Sequence, residues 1–378
     1  MWYRTLMNDP VPTTQKNTRT RRFAPLGIVF GVVGLLLFGY FVRRAGVSEI
    51  LSGIGRLGVG FLLILAISSV RHIVRSLAWT KCVEKPYRLR FRDALAGRLM
   101  GDALGNIIPL VSAAVSEPSK AVFVKDRLPL MVALSALAVE NIFYSLSVAL
   151  FIFSGTATLL LSFSLPKPLR YASISALVVI LIIVPLGFFV IRRQARFLSG
   201  AIEFLSARGV SRSALMKLKP RAEILEERIY GFYSRNQRSL VAIFGLELLF
   251  HGAGVLEIYT TLLYLSPNAA PSFRQAFILE SVNRIINVTF KFVPLRAGVD
   301  EGGTGQVSKV LGFTKATGVT LAIVRKGRDI FWSTIGVALL LRKGFSLSSV
   351  ATEAAEDLSE VRVQSLNAGA GHKESTTP

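Results

Sequence analysis

Long apolar segments alternate along the chain with short polar ones, and their lengths are typical of helices that cross a membrane. A run of about 20 apolar residues is long enough to span a bilayer as an α-helix. Six segments are predicted to be full spans, namely 24–42, 58–80, 129–154, 171–191, 239–265 and 315–341. The chain is therefore predicted to be an all-α, multi-pass membrane protein.

Two further segments are too polar for a plain span and too apolar for a plain loop. They cover residues 93–127 and 274–312, and they contain Pro109 and Pro294 respectively. Proline breaks a helix because it lacks an N–H and its ring clashes with the preceding turn. Each segment is predicted to be a re-entrant hairpin with a broken helix. The alternative, in which both hairpins cross the bilayer completely, gives about ten spans at this spacing.

The polar segments of the chain are rich in Lys and Arg, and positive charge is concentrated on the cytoplasmic side of membrane proteins. Residues 1–23 are predicted to be a disordered basic tail, 344–378 a second disordered tail, and 192–238 a basic cytoplasmic linker. Both termini are accordingly predicted to be cytoplasmic, in the cell inner (plasma) membrane.

One face of a predicted helix in the linker is apolar. Its members are Leu225, Ile229, Phe232 and Tyr233, which share a helical face. An amphipathic helix with basic flanks is predicted to lie along the membrane surface among anionic lipids.

Composition supports a membrane protein and excludes several other classes. The chain is 51% hydrophobic and carries a formal net charge of +22. Nucleic-acid binding is a competing interpretation of that charge, but no segment resembles a nucleic-acid module. Cys82 is the single cysteine, so no intrachain disulfide can form. A GxGxxG pattern at 53–58 follows no strand, which argues against a dinucleotide site. No catalytic motif, metal-ligand spacing or cofactor site is predicted.

The two halves of the chain share motifs in the same order. Repeat one covers about 58–154 and repeat two about 239–341, and the offset between matched positions drifts only from 179 to 188. The matches are His72 with His251, 91–95 with 273–277, Pro109 with Pro294, Glu117 with Glu301, and 141–145 with 329–333. The charge pattern places the first hairpin on the cytoplasmic side and the second outside. This is an inverted internal repeat, a plan that many secondary transporters share.

Among the six predicted spans, those of the two repeats carry charged residues, whereas spans 24–42 and 171–191 carry none. A charge at mid-membrane costs about 2.5–3.5 kcal/mol on insertion scales. So many charges are expected either to line a polar cavity or to brace the bundle as ion pairs. The candidate substrate-binding residues are Arg71, His72, Arg75, Asn106, Glu117, Lys120, Glu140, His251, Arg284, Arg296, Asp300, Glu301, Arg325, Arg328 and Asp329.

Each residue type suggests a role at this site. Arginine suits a phosphate-bearing headgroup because its donors form a planar fork. The carboxylates could be structural counter-ions, proton carriers or partners of a cationic substrate group. The two membrane histidines could titrate near neutral pH or serve as hydrogen-bonded structural residues. Glu117 and Glu301 are expected at pseudo-symmetric positions near the membrane midplane, with arginines nearby.

Several of these residues follow the motif order of a known family. The matching positions are Asn106, Pro109, Glu117, Lys120 and Glu140, then Gly298, Glu301 and Arg325. In this order, over about residues 24–343, the chain resembles the flippase-like transmembrane domain of lysylphosphatidylglycerol synthases and its stand-alone relatives. Ser116 stands where that family usually has Gly, and Asn141 where it usually has Arg.

The resemblance implies movement of lipids between leaflets, or a role in envelope lipid metabolism. The chain is therefore predicted to be a lipid translocase for an anionic or phosphate-bearing lipid, and not an enzyme. The soluble aminoacyl-transferring domain of the synthases has no counterpart in these residues. Two alternatives stay open: a membrane-embedded enzyme that uses Glu117 or Glu301 as acid or base, and an accessory subunit. The expected partners are the lipid substrate and anionic membrane lipids, with partner proteins or a second copy left open.

Overall fold

The computed structural model describes residues 40, 43, 47–107, 112–193, 196–208, 212–291, 293 and 296–343. Both predicted tails and the helix-breaking residues Pro109 and Pro294 lie outside the described residues. Of the first predicted span, only residue 40 is described. The described part of the chain forms twelve α-helices and a short 3-10 turn at Pro267–Ala269. In chain order the helices are α1 (Val47–Leu57), α2 (Gly60–Cys82), α3 (Phe91–Ile107), α4 (Ser112–Val122), α5 (Leu130–Ser162), α6 (Lys167–Arg192), α7 (Phe197–Ala207), α8 (Arg212–Arg235), α9 (Gln237–Leu265), α10 (Phe273–Thr289), α11 (Val299–Val310) and α12 (Lys315–Arg342).

Four of these helices are long and apolar enough to cross a membrane, namely α2, α5, α6 and α9. They coincide with the second to fifth predicted spans. Helix α12 covers the sixth, and its 28 residues rise about 42 Å. Its buried charges, Arg325, Lys326 and Arg328, make it less apolar than the other four. The protein is thus an all-helical, multi-pass membrane protein.

Local sequence explains where the helices of the second half begin. Ser272 and Gln275 form a reciprocal capping box at the start of α10, with the Ser272 N–H donating to Gln275 at 2.7 Å. Thr314 caps α12 with its hydroxyl. Helix α11 starts after Gly298, whose φ of +79° suits glycine, and the Gly298 N–H donates to the Glu301 carboxylate at 2.7 Å.

The described helices include two groups of four that follow the same order. Helices α2 to α5 have 23, 17, 11 and 33 residues, and α9 to α12 have 29, 17, 12 and 28. Helices α3 and α10 begin at the matched residues Phe91 and Phe273. The packing between the groups is reciprocal: α2 lies along α9, α3 packs against α12, and α10 packs against α5. Such an exchange is what a two-fold relation between two units produces.

Glycines allow close approach at both reciprocal crossings. A side chain added at Gly336 of α12 would collide with the backbone carbonyl of Leu99 on α3. A side chain added at Gly155 of α5 would collide with the Ser281 side chain on α10. These two positions therefore let the helix groups interlock.

The described loops and helix ends collect into two apolar clusters. The first cluster joins the C-terminal end of α2 and the turn after α4 to the start of α5 and to α8; its members include Cys82, Leu89, Val124, Leu128 and Phe232. The second joins the C-terminal ends of α5 and α9 to the turn after α11; its members include Leu159, Leu262, Leu265, Leu311 and Phe313. The α3–α4 pair therefore returns to one end of the bundle and the α10–α11 pair to the other.

The linker between the groups folds as the helix pair α7 and α8. Phe232 of the predicted surface face is buried and Ile229 is half-buried, and both pack on the first apolar cluster, whereas Tyr233 is exposed. Arg228 also pairs with Glu84, just beyond α2. Part of the predicted membrane-facing surface is thus covered by protein, because the linker helix closes one end of the bundle.

Helix α6 has the opposite character. It packs on α5 and exposes most of its apolar side chains, Leu181 and Phe189 among them. Residues 171–191 of this helix carry no charge, and an apolar segment with this exposure is suited to contact with acyl chains. It connects the two groups without contributing to the polar interior.

Candidate functional site

A polar cavity of about 480 Å³ lies between the two groups of helices. Seven cationic side chains and three carboxylates line it, an excess of four positive charges in the wall itself. The cations are Arg71, Arg75, Arg98, Arg284, Lys291, Arg296 and Arg328, and the carboxylates are Asp102, Glu117 and Asp329. The wall also contains the aromatic residues Tyr144, Phe250 and Trp332.

The structure brings nine of the fifteen predicted site residues to this wall, from both halves of the chain. These nine are Arg71, His72, Arg75, Asn106, Glu117, Arg284, Arg296, Arg328 and Asp329. The other six are not among the lining residues; they are Lys120, Glu140, His251, Asp300, Glu301 and Arg325. Most of these six are partners in ion pairs.

A first ion-pair group holds one side of the cavity. The fully buried Glu140 of α5 accepts from Arg75 Nε at 2.8 Å and Nη2 at 2.9 Å, and from Arg98 Nη2 at 2.9 Å. Lys120 lies 2.7 Å from Glu117 and 2.9 Å from Asp102. We call Arg75, Arg98, Lys120, Glu140, Glu117 and Asp102 the first ion-pair group.

A second ion-pair group holds the opposite side. Glu257 of α9 pairs with Arg71 at 3.3 Å and with Arg328. Asp329 accepts from Arg328 at 2.7 Å and from Arg296 at 3.2 Å. Together with the Arg284–Glu280 pair, these residues form the second ion-pair group: Arg71, Arg284, Arg296, Arg328, Glu257, Glu280 and Asp329.

The two histidines occupy related positions, each beside an aromatic residue of the opposite helix group. His72 of α2 lies 4.8 Å from Trp332, between ring centroids, and 3.9 Å from Asp102. His251 of α9 stacks on Tyr144 at 6.5 Å and contacts the Ser147 hydroxyl at 3.1 Å. Tyr144 and Trp332 are positions that the predicted repeat matches with each other. His72 lines the cavity, and His251 is buried behind it.

Glu301 differs from Glu117 in its surroundings. Glu301 is fully buried, caps the start of α11, and pairs with Lys326 of α12. Its neighbour Asp300 pairs with Arg325 at 2.7 Å. Only one of the two carboxylates lies at the cavity wall: Glu117 lines the cavity, whereas Glu301 fastens α11 to α12. The physical reason is that the amino end of a helix attracts a carboxylate in its first turn.

Several guanidinium groups at the cavity keep donors that no protein atom accepts. Arginine has five N–H donors, and a carboxylate engages only some of them. Arg98 Nε and Nη1, Arg284 Nε and Arg296 Nε are buried without a hydrogen-bond partner in the described part of the chain. Such donors favour a ligand with several acceptor oxygens and a negative charge.

The sequence analysis missed some lining residues, Arg98, Asp102 and Asn287 among them. They lie on α3 and α10, which the apolar pattern marks only as hairpin arms. A signal was present: Arg98 and Asp102 are four residues apart, as are Asn283 and Asn287, so each pair shares a helix face. Polar positions at that spacing in a semi-apolar helix indicate a face turned toward a polar interior.

The described residues contain no group of three or more His, Cys, Asp and Glu side chains placed to hold a metal ion. The arrangement defines a class of protein: a multi-pass membrane protein with a cationic cavity enclosed by two similar groups of helices. The family model described as the lysylphosphatidylglycerol synthase TM region matches residues 25–336. The chain therefore belongs to this family, as the sequence resemblance indicated. Comparison with curated proteins and with solved structures gave no match.

Proposed function

We propose that this protein is a lipid translocase, which moves an anionic or phosphate-bearing lipid between leaflets while its headgroup occupies the cationic cavity. The observation that carries the proposal is the set of buried guanidinium donors without partners, contributed by α3, α10 and Arg296 just before α11. A phosphodiester supplies both the acceptor oxygens and the negative charge that these donors lack. Family membership supports a role in lipid metabolism or transport.

The size of the cavity suits a headgroup. A volume of about 480 Å³ lies in the range of sites that enclose a small molecule. The acyl chains of a lipid are expected to stay in the bilayer, because burying them in a charged cavity gains nothing. The exposed apolar helix α6 serves as scaffold in this scheme.

The two helix pairs are proposed to be re-entrant hairpins of an inverted repeat. Helices α4 and α11 have 11 and 12 residues and rise about 17–18 Å, short of a hydrocarbon core of about 30 Å. The hairpins return to opposite ends of the bundle, as two inversely oriented repeats require. Helix arms that end at membrane depth are tolerated where they line a polar cavity.

In the proposed topology the protein lies in the inner (plasma) membrane of the cell, and both of its termini are in the cytoplasm. It can be tested with single cysteines in a Cys82→Ala background. Ser162→Cys and Asn268→Cys should react with an impermeant thiol reagent from outside, and Lys85→Cys only from inside. Gly155, near the outer end by sequence alone, is unsuitable because it packs against Ser281. Labelling of positions 162 and 268 from opposite sides would contradict the inverted repeat.

Translocation itself can be measured in liposomes. Purified protein is reconstituted with headgroup-labelled phosphatidylglycerol, and the label in the inner leaflet is counted after dithionite quenching of the outer one. The wild type should accelerate equilibration, Arg296→Gln should do so less, and Arg274→Gln, on the exposed start of α10 outside the cavity, should match the wild type. Equal slow equilibration in protein-containing and empty liposomes would refute the proposal.

The same vesicles separate the translocase from the alternatives. Chemical conversion of the labelled lipid would favour a membrane-embedded enzyme. Glu117, the candidate acid or base at the cavity, is held by Lys120 at 2.7 Å and Asn141 at 2.9 Å. Activity that requires a co-purified protein would favour an accessory subunit. Unchanged lipid that moves with this chain alone supports the translocase.

A further inference from the structure

Glu247, in the middle of α9, is a buried carboxyl group that the proposed headgroup site does not use. It is fully buried, and neither of its oxygens has a hydrogen-bond partner in the described part of the chain. The nearest cation is Arg75, whose Nε lies 3.9 Å from Glu247 Oε2. That Nε already donates to Glu140 at 2.8 Å. Glu247 therefore faces a guanidinium group that is already hydrogen-bonded to another carboxylate, that of Glu140.

Two cations and one carboxylate lie next to Glu247, and the first ion-pair group to which they belong is electrically balanced without it. Arg75 on α2, Arg98 on α3 and Glu140 on α5 face it, together with the Cys82 thiol on α2. The first ion-pair group as a whole contains three cations and three carboxylates. An ionised Glu247 would add an uncompensated negative charge without hydrogen bonds in a dry place, which is costly. The neutral, protonated carboxyl group fits this environment better.

The second ion-pair group has the opposite imbalance. It contains four arginines and three carboxylates, so it carries one positive charge that no protein carboxylate neutralises. When Glu247 is protonated, the two groups together carry one net positive charge; Lys291, a further cation of the cavity wall, is exposed to solvent and belongs to neither group. When Glu247 is ionised, they carry none. A phosphodiester headgroup with one negative charge therefore balances the protonated form.

From this balance we infer that Glu247 is a proton-binding site coupled to the headgroup site, so that one proton and one anionic lipid headgroup are bound together. Arg75 separates the two sites, since it lines the cavity on one side and faces Glu247 on the other. Protonation converts the Glu247 carboxylate to the neutral acid and removes its electrostatic attraction for Arg75. Arg75 stays hydrogen-bonded to Glu140, but its positive charge is then less neutralised, which favours a negative charge in the cavity.

The inference rests on the proposed function and adds an energy source to it. Binding of one proton with each singly charged headgroup makes the loaded site electrically equivalent to the empty, deprotonated one. A proton gradient would then drive anionic lipid from the acidic to the alkaline side. Because coupling between two sites is reciprocal, the headgroup must raise proton affinity as much as the proton raises headgroup affinity.

The test measures the affinity of the purified full-length protein for short-chain phosphatidylglycerol from mildly acidic to mildly alkaline pH. One coupled proton predicts that the wild-type Kd rises about tenfold for each pH unit above the titration range of the free protein. Glu247→Gln, which mimics the protonated acid, should show no such rise and should bind at least as tightly as the wild type at alkaline pH. Glu203→Gln, which makes the same substitution on the exposed part of α7 outside the cavity, should retain the rise. A slope that persists in Glu247→Gln, or a flat wild type, would overturn the coupling while leaving the translocase in place.

Two further readouts cover the case in which the lipid does not bind. Infrared difference spectra of the wild type at neutral pH should contain the C=O stretch of a protonated carboxyl group, and this band should be missing in Glu247→Gln. A spectrum without that difference shows that Glu247 is ionised and refutes the proton site. Short-chain phosphatidylcholine, which has no net charge, should cause no proton uptake. If phosphatidylglycerol does not bind at any pH but the infrared band is present, the proposed function fails and the protonated Glu247 stands.

Discussion

The replacement of Arg296 by glutamine removes one cation from the cavity with little damage to its surroundings. Asp329, the partner of Arg296 at 3.2 Å, also accepts from Arg328 at 2.7 and 3.1 Å, so the carboxylate stays paired. Arg296 adopts a positive φ of +53°, and glutamine meets the same backbone cost. The substitution therefore tests ligand binding more than folding.

The magnitude follows from what the side chain has to offer. Arg296 lines the cavity, and its buried Nε has no hydrogen-bond partner in the described part of the chain, so this donor can serve a phosphate oxygen. A hydrogen bond to a charged group contributes about 1.5–3 kcal/mol. Loss of one such bond corresponds to about a tenfold to hundredfold weaker affinity. Arg274→Gln, which removes the same charge outside the cavity, should leave affinity within about fivefold of the wild type, because exposed charges contribute about 0–1 kcal/mol.

The assay is the binding of short-chain phosphatidylglycerol to purified protein in detergent, with thermal unfolding measured on the same samples. Arg296→Gln should weaken binding and leave the unfolding temperature close to that of the wild type. If Arg296→Gln and Arg274→Gln bind equally tightly, Arg296 does not contact the headgroup. If the weaker binding of Arg296→Gln is accompanied by a clearly lower unfolding temperature, the Arg296 side chain stabilises the fold and its assignment to the site is wrong.

Three more predictions concern the ion pairs and the helix contacts. Glu140→Gln leaves Arg75 and Arg98 without their shared carboxylate and should lower the free energy of unfolding by about 3–5 kcal/mol, measured as a lower thermal unfolding temperature. Glu203→Gln, on the exposed part of α7, should not change that temperature. Equal unfolding temperatures for the two variants would contradict the stabilising role of Glu140. Gly336→Ala should destabilise the protein because its new methyl group meets the α3 backbone, whereas Gly187→Ala on exposed α6 meets nothing within 4 Å and should not; the reverse order would refute the described α3–α12 packing. Glu301→Gln should lower stability by about 1–3 kcal/mol without weakening headgroup binding, and a selective loss of binding would return Glu301 to the site.

The helical framework could be predicted from sequence because it depends on local patterns. Apolar runs of sufficient length located α2, α5, α6 and α9, and the matched segments 91–95 and 273–277 lie at the starts of α3 and α10. These features depend on composition over 15 to 30 residues or on a local capping sequence. The reciprocal packing of the two groups involves residues more than a hundred positions apart, and no local pattern carries that information.

The chemistry of the cavity was predicted less completely for the same reason. The sequence identified seven of the ten charged residues that line the cavity, but their partners depend on which face each helix presents. Arg98 was missed because it lies in a semi-apolar arm, although it lines the cavity and binds Glu140. Glu301 was predicted to bind the substrate, but it lies three residues after Gly298, caps its own helix and is not among the lining residues. A carboxylate at that spacing from a glycine is a local signal for capping.

The central claim is that the cavity between the two helix groups holds a phosphate-bearing headgroup. The most direct measurement is a cryo-electron microscopy structure in nanodiscs that contain phosphatidylglycerol, with a matched sample in phosphatidylcholine. The account predicts phosphate density within hydrogen-bond distance of Arg98, Arg284 and Arg296 in the phosphatidylglycerol sample. Headgroup density only at the membrane surfaces, with the three guanidinium groups bound to water or protein in both samples, would contradict it.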